Sequence, residues 1–409
     1  MENKLNYCLI LLYLITGFIP NLGAVDRIAT HWLYLNLISV LSIVFFIYKS
    51  NSKEGLKISS NKPLIIFLIF FIWSILSLFY SINITESLIS LIRLFSVILA
   101  TYLIGLHLME IKSLKLIFIL FFFPILIIEI LLPSFKFFQI ISYVDYSFAY
   151  ANDLKTFTPN KNITAAIITS HLGFIFFIKY YLKKFEWLLL ILVFIASCVI
   201  TFISARASII GLVLSLSLVY IITFLKKKEN LFFLRKVILV VGTGFFLSSL
   251  YLGSNNDASI QNRLTSINTD DASTNQRIRF YKHGIKHMIN NPIIGIGIGN
   301  WKFKSIEYDS KDIQSYIVPY HLHNDFLQYG AETGFIGMFL YLLLFLILLL
   351  INIKRIDSNY FLSISLIISV TVFFVDSNLN FPHHRPIMMI LLAFIIALTE
   401  LNRVRNIEK

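Results

Sequence analysis

The stretch His321-Leu-His-Asn-Asp-Phe-Leu-Gln-Tyr-Gly-Ala-Glu-Thr-Gly-Phe-Ile-Gly337 closes a long polar segment and leads straight into an apolar run, residues 333–352. About 20 mostly apolar residues are enough for a helix to cross a bilayer. The boundary between polar loop and apolar span therefore falls within this stretch. It predicts a membrane helix whose polar entrance carries two histidines, an amide and a carboxylate.

Composition extends this interpretation to the whole chain. Of its 409 residues, 57% are hydrophobic and 14% are charged, and the mean hydropathy is +0.78. Soluble proteins are nearer one quarter charged, so a polytopic membrane protein is indicated. The net charge of +13 comes mostly from short basic clusters between apolar runs, a pattern of membrane loops rather than of nucleic-acid binding. Cys8 and Cys198 lie within apolar runs and support neither a disulfide framework nor a cysteine-based zinc site.

The apolar pattern predicts an all-α protein with about twelve transmembrane helices. The candidate spans lie near residues 6–22, 31–48, 63–81, 87–107, 114–132, 162–179, 187–204, 207–225, 237–253, 333–352, 360–376 and 386–400. The seventh and eighth are separated only by Ser204-Ala-Arg-Ala, so two spans with a tight turn and one long broken helix both remain open. The first span lacks a convincing cleavage site, and we expect it to be retained.

The distribution of lysine and arginine predicts the orientation. With the N-terminus inside, cytoplasmic connections hold 20 of the 35 basic residues: Lys4, Lys49, Lys53, Lys57, Lys62, Lys112, Lys115, Lys179, Lys183, Lys184, Lys226, Lys227, Lys228, Arg235, Lys236, Lys354, Arg355, Arg403, Arg405 and Lys409. The short outer connections hold only Arg27, Lys136, Lys155, Lys161, Arg206 and Arg385. Both termini are therefore predicted to be cytoplasmic.

One long outer loop lies between spans nine and ten, from Ser254 to Tyr320, with eight basic and six acidic residues. Ser273-Thr-Asn-Gln276 resembles a capping box and predicts a helix over 275–289, with Arg277, Tyr281, Ile285 and Met288 on one face. Asn291-Pro292 is expected to end it. We therefore divide the chain into spans one to nine (1–253), the outer loop (254–322) and spans ten to twelve with a short tail (323–409).

The residues that could carry chemistry are predicted to lie on this outer side. Neutral imidazole is a competent general base, so His321 and His323 are candidates, with Asn324 and Asp325 beside them at a helix start. Arginine donates several charge-assisted hydrogen bonds to phosphate, which favours Arg206, Arg277 and Arg385 as anion-binding residues. Arg279 lies two residues after Arg277 and points to another face of the loop helix.

Other motifs give weaker predictions. His383 and His384 are adjacent but have no nearby carboxylate in the sequence, so we predict no metal site. Asn290-Asn-Pro-Ile-Ile-Gly-Ile-Gly-Ile-Gly299 has neither Rossmann nor P-loop spacing, and its glycines are expected to permit close backbone approach. Arg93 and Glu129 lie within spans and receive no role.

Together these residues resemble the O-antigen ligase and polymerase family of bacterial envelope glycosyltransferases. His323-Asn324, nine residues, then Gly334-Phe-Ile-Gly337 reproduces the family's His-Asn-x9-Gly-x-x-Gly pattern. Arg277 looks like the characteristic loop arginine, Ser204-Ala-Arg206 like the arginine at the end of a span, and Asn160-Lys-Asn162 precedes an apolar helix as expected. Met338-Phe-Leu follows Gly337 where some ligases have Thr and then Gly-Trp, which leaves a polymerase open.

The resemblance implies a GT-C-like fold and a metal-independent, inverting glycosyl transfer without a cofactor. The implied donor is a glycan on undecaprenyl pyrophosphate at the outer face of the inner membrane, and the acceptor is a hydroxyl of lipid A-core or of another lipid-linked glycan. It implies His323 or His321 as the base and Arg206, Arg277 and Arg385 at the pyrophosphate, with Asn324, Arg279 and Glu332 in support. The alternative is a transporter or flippase of lipid-linked oligosaccharide, although facilitator carriers usually have their long loop on the cytoplasmic side, between spans six and seven.

Overall fold

The computed structural model describes residues 2–20, 22–26, 28–49, 61–253, 257–259, 272–310 and 320–408. Arg27, Lys53, Lys57 and Lys409, counted above for orientation, lie outside these ranges, as does part of the predicted outer loop. Every regular element in the described ranges is helical. Eleven of these helices are long and apolar enough to cross a membrane, so the chain is an all-α, multi-pass membrane protein.

The helices are numbered in chain order. A shorter apolar helix, α1 (Lys4–Phe18), precedes the long helices, and two further helices, α10 and the short α11, lie in the loop segment. The remaining bounds are α2 Ala29–Lys49, α3 Lys62–Tyr80, α4 Ile84–Glu110, α5 Lys115–Ile141, α6 Lys161–Tyr181, α7 Lys183–Ile203, α8 Arg206–Lys226, α9 Lys228–Leu252, α10 Ala272–Asn290, α11 Trp301–Asp309, α12 Asp325–Arg355, α13 Tyr360–Leu379 and α14 Pro386–Val404.

All twelve predicted spans fall on helices, although α1 is shorter than the eleven long ones. The uncertain boundary between the seventh and eighth spans is settled in favour of two helices. Ser204 ends α7 in the left-handed region, with φ of 56°, and α8 begins two residues later at Arg206. The turn between them is therefore only two residues long, which holds Arg206 at the end of the bundle.

The centre of the bundle is formed by α13, α14 and α6, whose apolar stretches are 89%, 83% and 83% buried. α13 packs against α8 and α12, and α14 packs against α4. Glu129 on α5 and His171 on α6, Oε2 to Nδ1 2.7 Å apart, form a buried pair in this interior.

The two ends of the bundle differ in composition. At one end, the Glu408 carboxylate accepts hydrogen bonds from the Phe361 and Leu362 amides, and Arg405 donates to the carbonyl of Ile111 (2.8 Å). Lys49 and Glu110 form an ion pair at this end. The predicted site residues lie at the opposite end, where the turn before Arg206 and the start of α12 are also found.

The loop helix α10 begins at Ala272, three residues earlier than predicted, and ends before Asn291-Pro292 as expected. Ser273 therefore lies within the helix, and the prediction that the 273–276 box opens it at Asn275 is wrong. The predicted face is also shifted, because Ile285 is exposed whereas Met288 is buried. Phe280 and His287 share the buried side, which packs against the first part of α12.

The kink in α12 fixes the loop segment onto the bundle. Gly334 has φ of 75° and interrupts the helix, so carbonyl groups just before it lose their helical partners. The Glu332 carbonyl accepts from the Gly297 amide (2.9 Å), and that of Thr333 accepts from Trp73 Nε1 (2.8 Å). The Phe335 amide in turn donates to the Pro292 carbonyl (2.9 Å). The broken helix and the glycine-rich segment therefore complete each other's backbone hydrogen bonds.

This arrangement explains the glycine spacing. A Cβ on Gly295 would lie 2.2 Å from the Ala331 carbonyl oxygen, and one on Gly334 would lie 2.0 Å from that of Ile293. The expectation that these glycines permit close backbone approach is confirmed, and the partner is α12.

We predict that Gly334→Ala destabilises the protein. A left-handed non-glycine residue costs about 1–2 kcal/mol, and the overlap with the Ile293 carbonyl adds to this. The thermal unfolding temperature in detergent should therefore fall. Gly105→Ala in α4 is the matched control, because a Cβ there meets nothing within 4 Å in the described structure. Equal unfolding temperatures for the two variants would contradict the role given to the kink.

Candidate functional site

His323 lies in the extended segment that leads into α12. Its backbone adopts the left-handed region with φ of 55°, unusual for a residue other than glycine. Its carbonyl accepts a hydrogen bond from the Tyr281 hydroxyl (3.0 Å), which fixes the backbone to α10. Nδ1 of its ring is buried and has no hydrogen-bond partner among the described residues. The ring is thus held in place while one nitrogen remains available.

His323 and Arg385 line the same cavity, which has a volume of about 60 Å³. Arg385 immediately precedes α14 and lies over the Phe381 ring, 4.8 Å from guanidinium carbon to ring centroid. The Phe381 ring also contacts His323, with centroids 4.9 Å apart. The other lining residues include Asn160, Asn162, Asp376 and Asn380. The structure therefore brings together two of the residues predicted from distant parts of the sequence.

Arg277 contributes to the electrostatics of this cavity from α10. Burial, together with the positive charges of Arg277 and Arg385, lowers the pKa of His323 to about 4. Burial also lowers the pKa of Arg385. Because both guanidiniums act on one imidazole, His323 is neutral near pH 7 and the surroundings favour an anion.

Arg206 is connected to the same group through α10. Its Nη1 donates to Thr274 Oγ1 (3.3 Å) at the start of that helix. Thr274 and Arg277 are three residues apart and therefore lie on the same side of α10. Arg206, the first residue of α8, therefore lies on the same side of α10 as Arg277.

Asn324 has a structural role at this site. Its Oδ1 accepts from the Leu327 amide (3.0 Å) and caps α12, while its Nδ2 donates to the Asn378 carbonyl (3.1 Å). Tyr281 donates to that same carbonyl (3.2 Å). Asn324 and Tyr281 thus connect the entrance of α12 to the end of α13 and hold His323 between them.

His321 lies in a different cavity from His323. Phe381 separates the two, stacking on the His321 ring at a centroid distance of 4.5 Å. The cavity of His321 is larger, about 320 Å³, and is also lined by Glu86, Arg93, Lys302, Gln328, Glu332, His383 and His384. His383 was predicted to have no carboxylate near it, but its Nδ1 is 2.5 Å from Asp325 Oδ1. That prediction is wrong because the 380–385 segment folds back over the start of α12.

Two supporting residues are engaged in structural contacts. The Glu332 carboxylate is buried and accepts from the backbone amides of Gly299 (2.8 Å) and Trp301 (3.3 Å). Arg279 pairs with the buried Asp309 of α11, Nε to Oδ1 2.8 Å. Glu332 therefore anchors the glycine-rich segment, and Arg279 anchors α11.

The sequence did not identify Asp376 or Asn380 as candidate site residues, because Asp376 lies at the end of an apolar run. In the structure Asn380 Nδ2 donates to Asp376 Oδ1 (2.5 Å), and both line the cavity of His323. An acidic residue at a predicted span end was the only signal available.

The fold and the site define a multi-pass membrane protein with an arginine- and histidine-bearing site at one end of a helical bundle. Residues 191–342, which include Arg206, Arg277 and His323, match the family model described as O-antigen ligase. Over this segment, which is less than half of the chain, the protein is similar to the O-antigen ligase family. No curated protein matches the chain.

We predict that Arg279→Ala lowers the free energy of unfolding by about 1.5–3 kcal/mol, because it leaves the Asp309 carboxylate buried without its guanidinium. Thermal unfolding of the purified protein measures this. Lys282→Ala, on the exposed side of the same helix, should stay within about 0.5 kcal/mol of wild type. Wild-type stability of the Arg279 variant would show that this ion pair does not hold α11.

Proposed function

We propose that the protein transfers a glycan from undecaprenyl pyrophosphate to a sugar hydroxyl at the outer face of the bacterial inner membrane. The observation that carries the proposal is the shared cavity of His323 and Arg385, with Arg277 in electrostatic range. A neutral imidazole with an available nitrogen can accept a proton, and guanidiniums beside it can bind a pyrophosphate. The family match supports the same reaction class.

In the proposed reaction, His323 takes the proton of the acceptor hydroxyl as its oxygen attacks the anomeric carbon of the donor. The bond from that carbon to the pyrophosphate oxygen breaks, and the configuration inverts. Undecaprenyl pyrophosphate leaves with the bonding electrons, and Arg206, Arg277 and Arg385 stabilise its developing charge. No step needs a metal or a cofactor. His323 is favoured over His321 as the base because only His323 lies in the cavity of Arg385.

Helix ends strengthen the case for an anionic donor. Asn160 caps α6 and Arg385 precedes α14, and both residues line the cavity of His323. Helix N-termini carry positive potential and exposed amides, which favour phosphate. α12, which His323 precedes by two residues, adds a third helix N-terminus at this site.

An apolar groove between α8 and α9 suits the polyprenyl chain. It has a volume of about 470 Å³ and is lined by residues such as Val213, Tyr220 and Phe245. Val213 lies seven residues after Arg206, about 10 Å along α8. A pyrophosphate at Arg206 would therefore leave its lipid chain beside this groove.

The proposal places both termini in the cytoplasm and the loop, 254–322, in the periplasm between two sets of spans, 1–253 and 323–409. The described basic residues Lys49, Lys226 and Arg405 lie at the end of the bundle opposite the site, which supports this orientation.

We predict that His323→Ala reduces glycan transfer by purified protein in lipid by about 10²–10⁴-fold, the usual contribution of a general base. Arg277→Ala and Arg206→Ala should each reduce turnover by about 10²–10³-fold, because a stabilising donor for the leaving group is lost. Arg277→Lys and Arg206→Lys keep the positive charge but lack the planar guanidinium, so each should recover only part of the lost turnover. The assay follows extension of an acceptor glycan from a lipid-linked donor.

Arg235→Ala is the matched control, because this exposed arginine lies at the opposite end of the bundle and should leave turnover unchanged. Wild-type turnover of His323→Ala would remove it as the base. A protein that moves lipid-linked glycan across vesicles but transfers none in micelles would be a transporter instead. In cells, deletion separates the two reactions: accumulated lipid-linked polymer indicates a ligase, and a single capped repeat indicates a polymerase.

Orientation is tested by single cysteines, after Cys8 and Cys198 have been replaced by serine. Ser310→Cys at the exposed end of α11 should react with an impermeant maleimide in intact spheroplasts. Lys184→Cys, in the exposed first turn of α7, should react only after lysis. The reverse pattern would place the site on the cytoplasmic side and exclude a periplasmic acceptor.

A further inference from the structure

His321, His383 and His384 form a cluster of three imidazoles that the proposed transfer does not use. Each offers one ring nitrogen, and these nitrogens all lie within 4.8 Å of one another. The ring of His321 is 4.4 Å from that of His384 and 5.8 Å from that of His383, centroid to centroid. The cluster joins two segments that are distant in sequence, the entrance of α12 and the turn before α14.

We propose that this three-histidine cluster binds one divalent transition-metal ion, with zinc as the ion that best fits its ligands. Three imidazoles with a further position open to water or a ligand are a common zinc donor set. Tetrahedral zinc with bonds of about 2.0–2.1 Å needs ligand nitrogens about 3.4 Å apart. The ligand nitrogens lie within 4.8 Å of one another, so binding of the ion requires the three side chains to move closer together.

Neighbouring groups support the assignment. Asp325 is fully buried and its Oδ1 lies 2.5 Å from His383 Nδ1, which leaves Nε2 of His383 for the ion. A carboxylate on the far nitrogen of a ligand histidine orients the ring and increases its basicity. Nδ1 of His321 is buried and has no partner among the described residues. A bound ion would either coordinate this nitrogen directly or coordinate the other nitrogen of the same ring and so hold the ring in place.

The histidines lie in the wall of the larger cavity, so one side of a bound ion would face open space. All three histidines line that cavity of about 320 Å³, in which the Glu86 carboxylate pairs with Lys302, Oε1 to Nζ 2.7 Å. The opposing positive charge of Arg93 is partly neutralised by Asp26, Nη2 to Oδ2 3.3 Å. Arg93 Nη1 lies 3.5 Å from His384 Nδ1, at the outer limit of a hydrogen bond, so little is lost when that contact opens.

The experiment uses the full-length protein in lipid nanodiscs, stripped of metal with a chelator and then titrated with Zn²⁺ or Co²⁺. We expect one saturable Zn²⁺ per chain, and a Co²⁺ absorption spectrum of four-coordinate strength. His384→Gln should weaken Zn²⁺ binding at least 10-fold. Asp325→Asn should weaken it by about 10–100-fold without changing the stoichiometry. His287→Gln, a buried histidine of α10 outside the cluster, is the matched control and should bind as wild type does.

A measurement of thermal unfolding distinguishes loss of the metal site from misfolding of a variant. Zn²⁺ should raise the unfolding temperature of wild type and of the His287 variant, but not of the variant in which all three cluster histidines are glutamine. Absence of saturable binding in wild type, or equal binding in the triple variant, would overturn the proposal. No glycan is present in this titration, so its failure leaves the transfer hypothesis untouched, and failure of the transfer assay leaves the metal site untouched.

Discussion

The break in α12 at Gly334 is the constraint on which the site depends. An uninterrupted helix would satisfy its own carbonyls and offer nothing to the glycine-rich segment 292–299. The break frees the carbonyls of Ala331 and Glu332, which accept hydrogen bonds from the Ile296 and Gly297 amides. Inside a membrane protein an unpaired backbone group costs several kcal/mol, so these contacts are strongly favoured. The segment they fix follows α10 and precedes α11, and it therefore sets where Arg277 lies.

Charge is concentrated at this end of the bundle in a way that favours an anion. Arg206, Arg277 and Arg385 come from three separate helices or turns, and α6, α12 and α14 direct their N-termini to the same region. Burial and two guanidiniums together keep His323 neutral. An anionic donor would offset the arginine charges on binding, so the interaction that holds the donor also makes the imidazole a stronger base.

The apolar runs predicted the helices well, because a membrane span imposes one length and one composition on any sequence. The cost of placing arginine and histidine at a membrane boundary also pointed to His323, Arg385 and Arg277 as candidates, and their roles stay predictions. The sequence could not show that Phe381 divides His321 from His323, or that Asp325 meets His383. Both facts depend on how the 380–385 segment folds back over α12, a tertiary contact between residues more than fifty positions apart. Local pattern also misplaced the start of α10, which begins at Ala272 rather than after the 273–276 box.

Phe381 separates two neighbouring cavities that differ in chemistry. On one side its ring meets His323 and Arg385, and on the other it stacks on His321. The aromatic ring between them, in contact with both, sets the spacing of the two imidazoles. Because only Pro382 separates His383 and His384 from Phe381, an ion held by them and by His321 would fix the position of that ring. The cluster would then stabilise the wall of the cavity of His323 without taking part in the transfer itself.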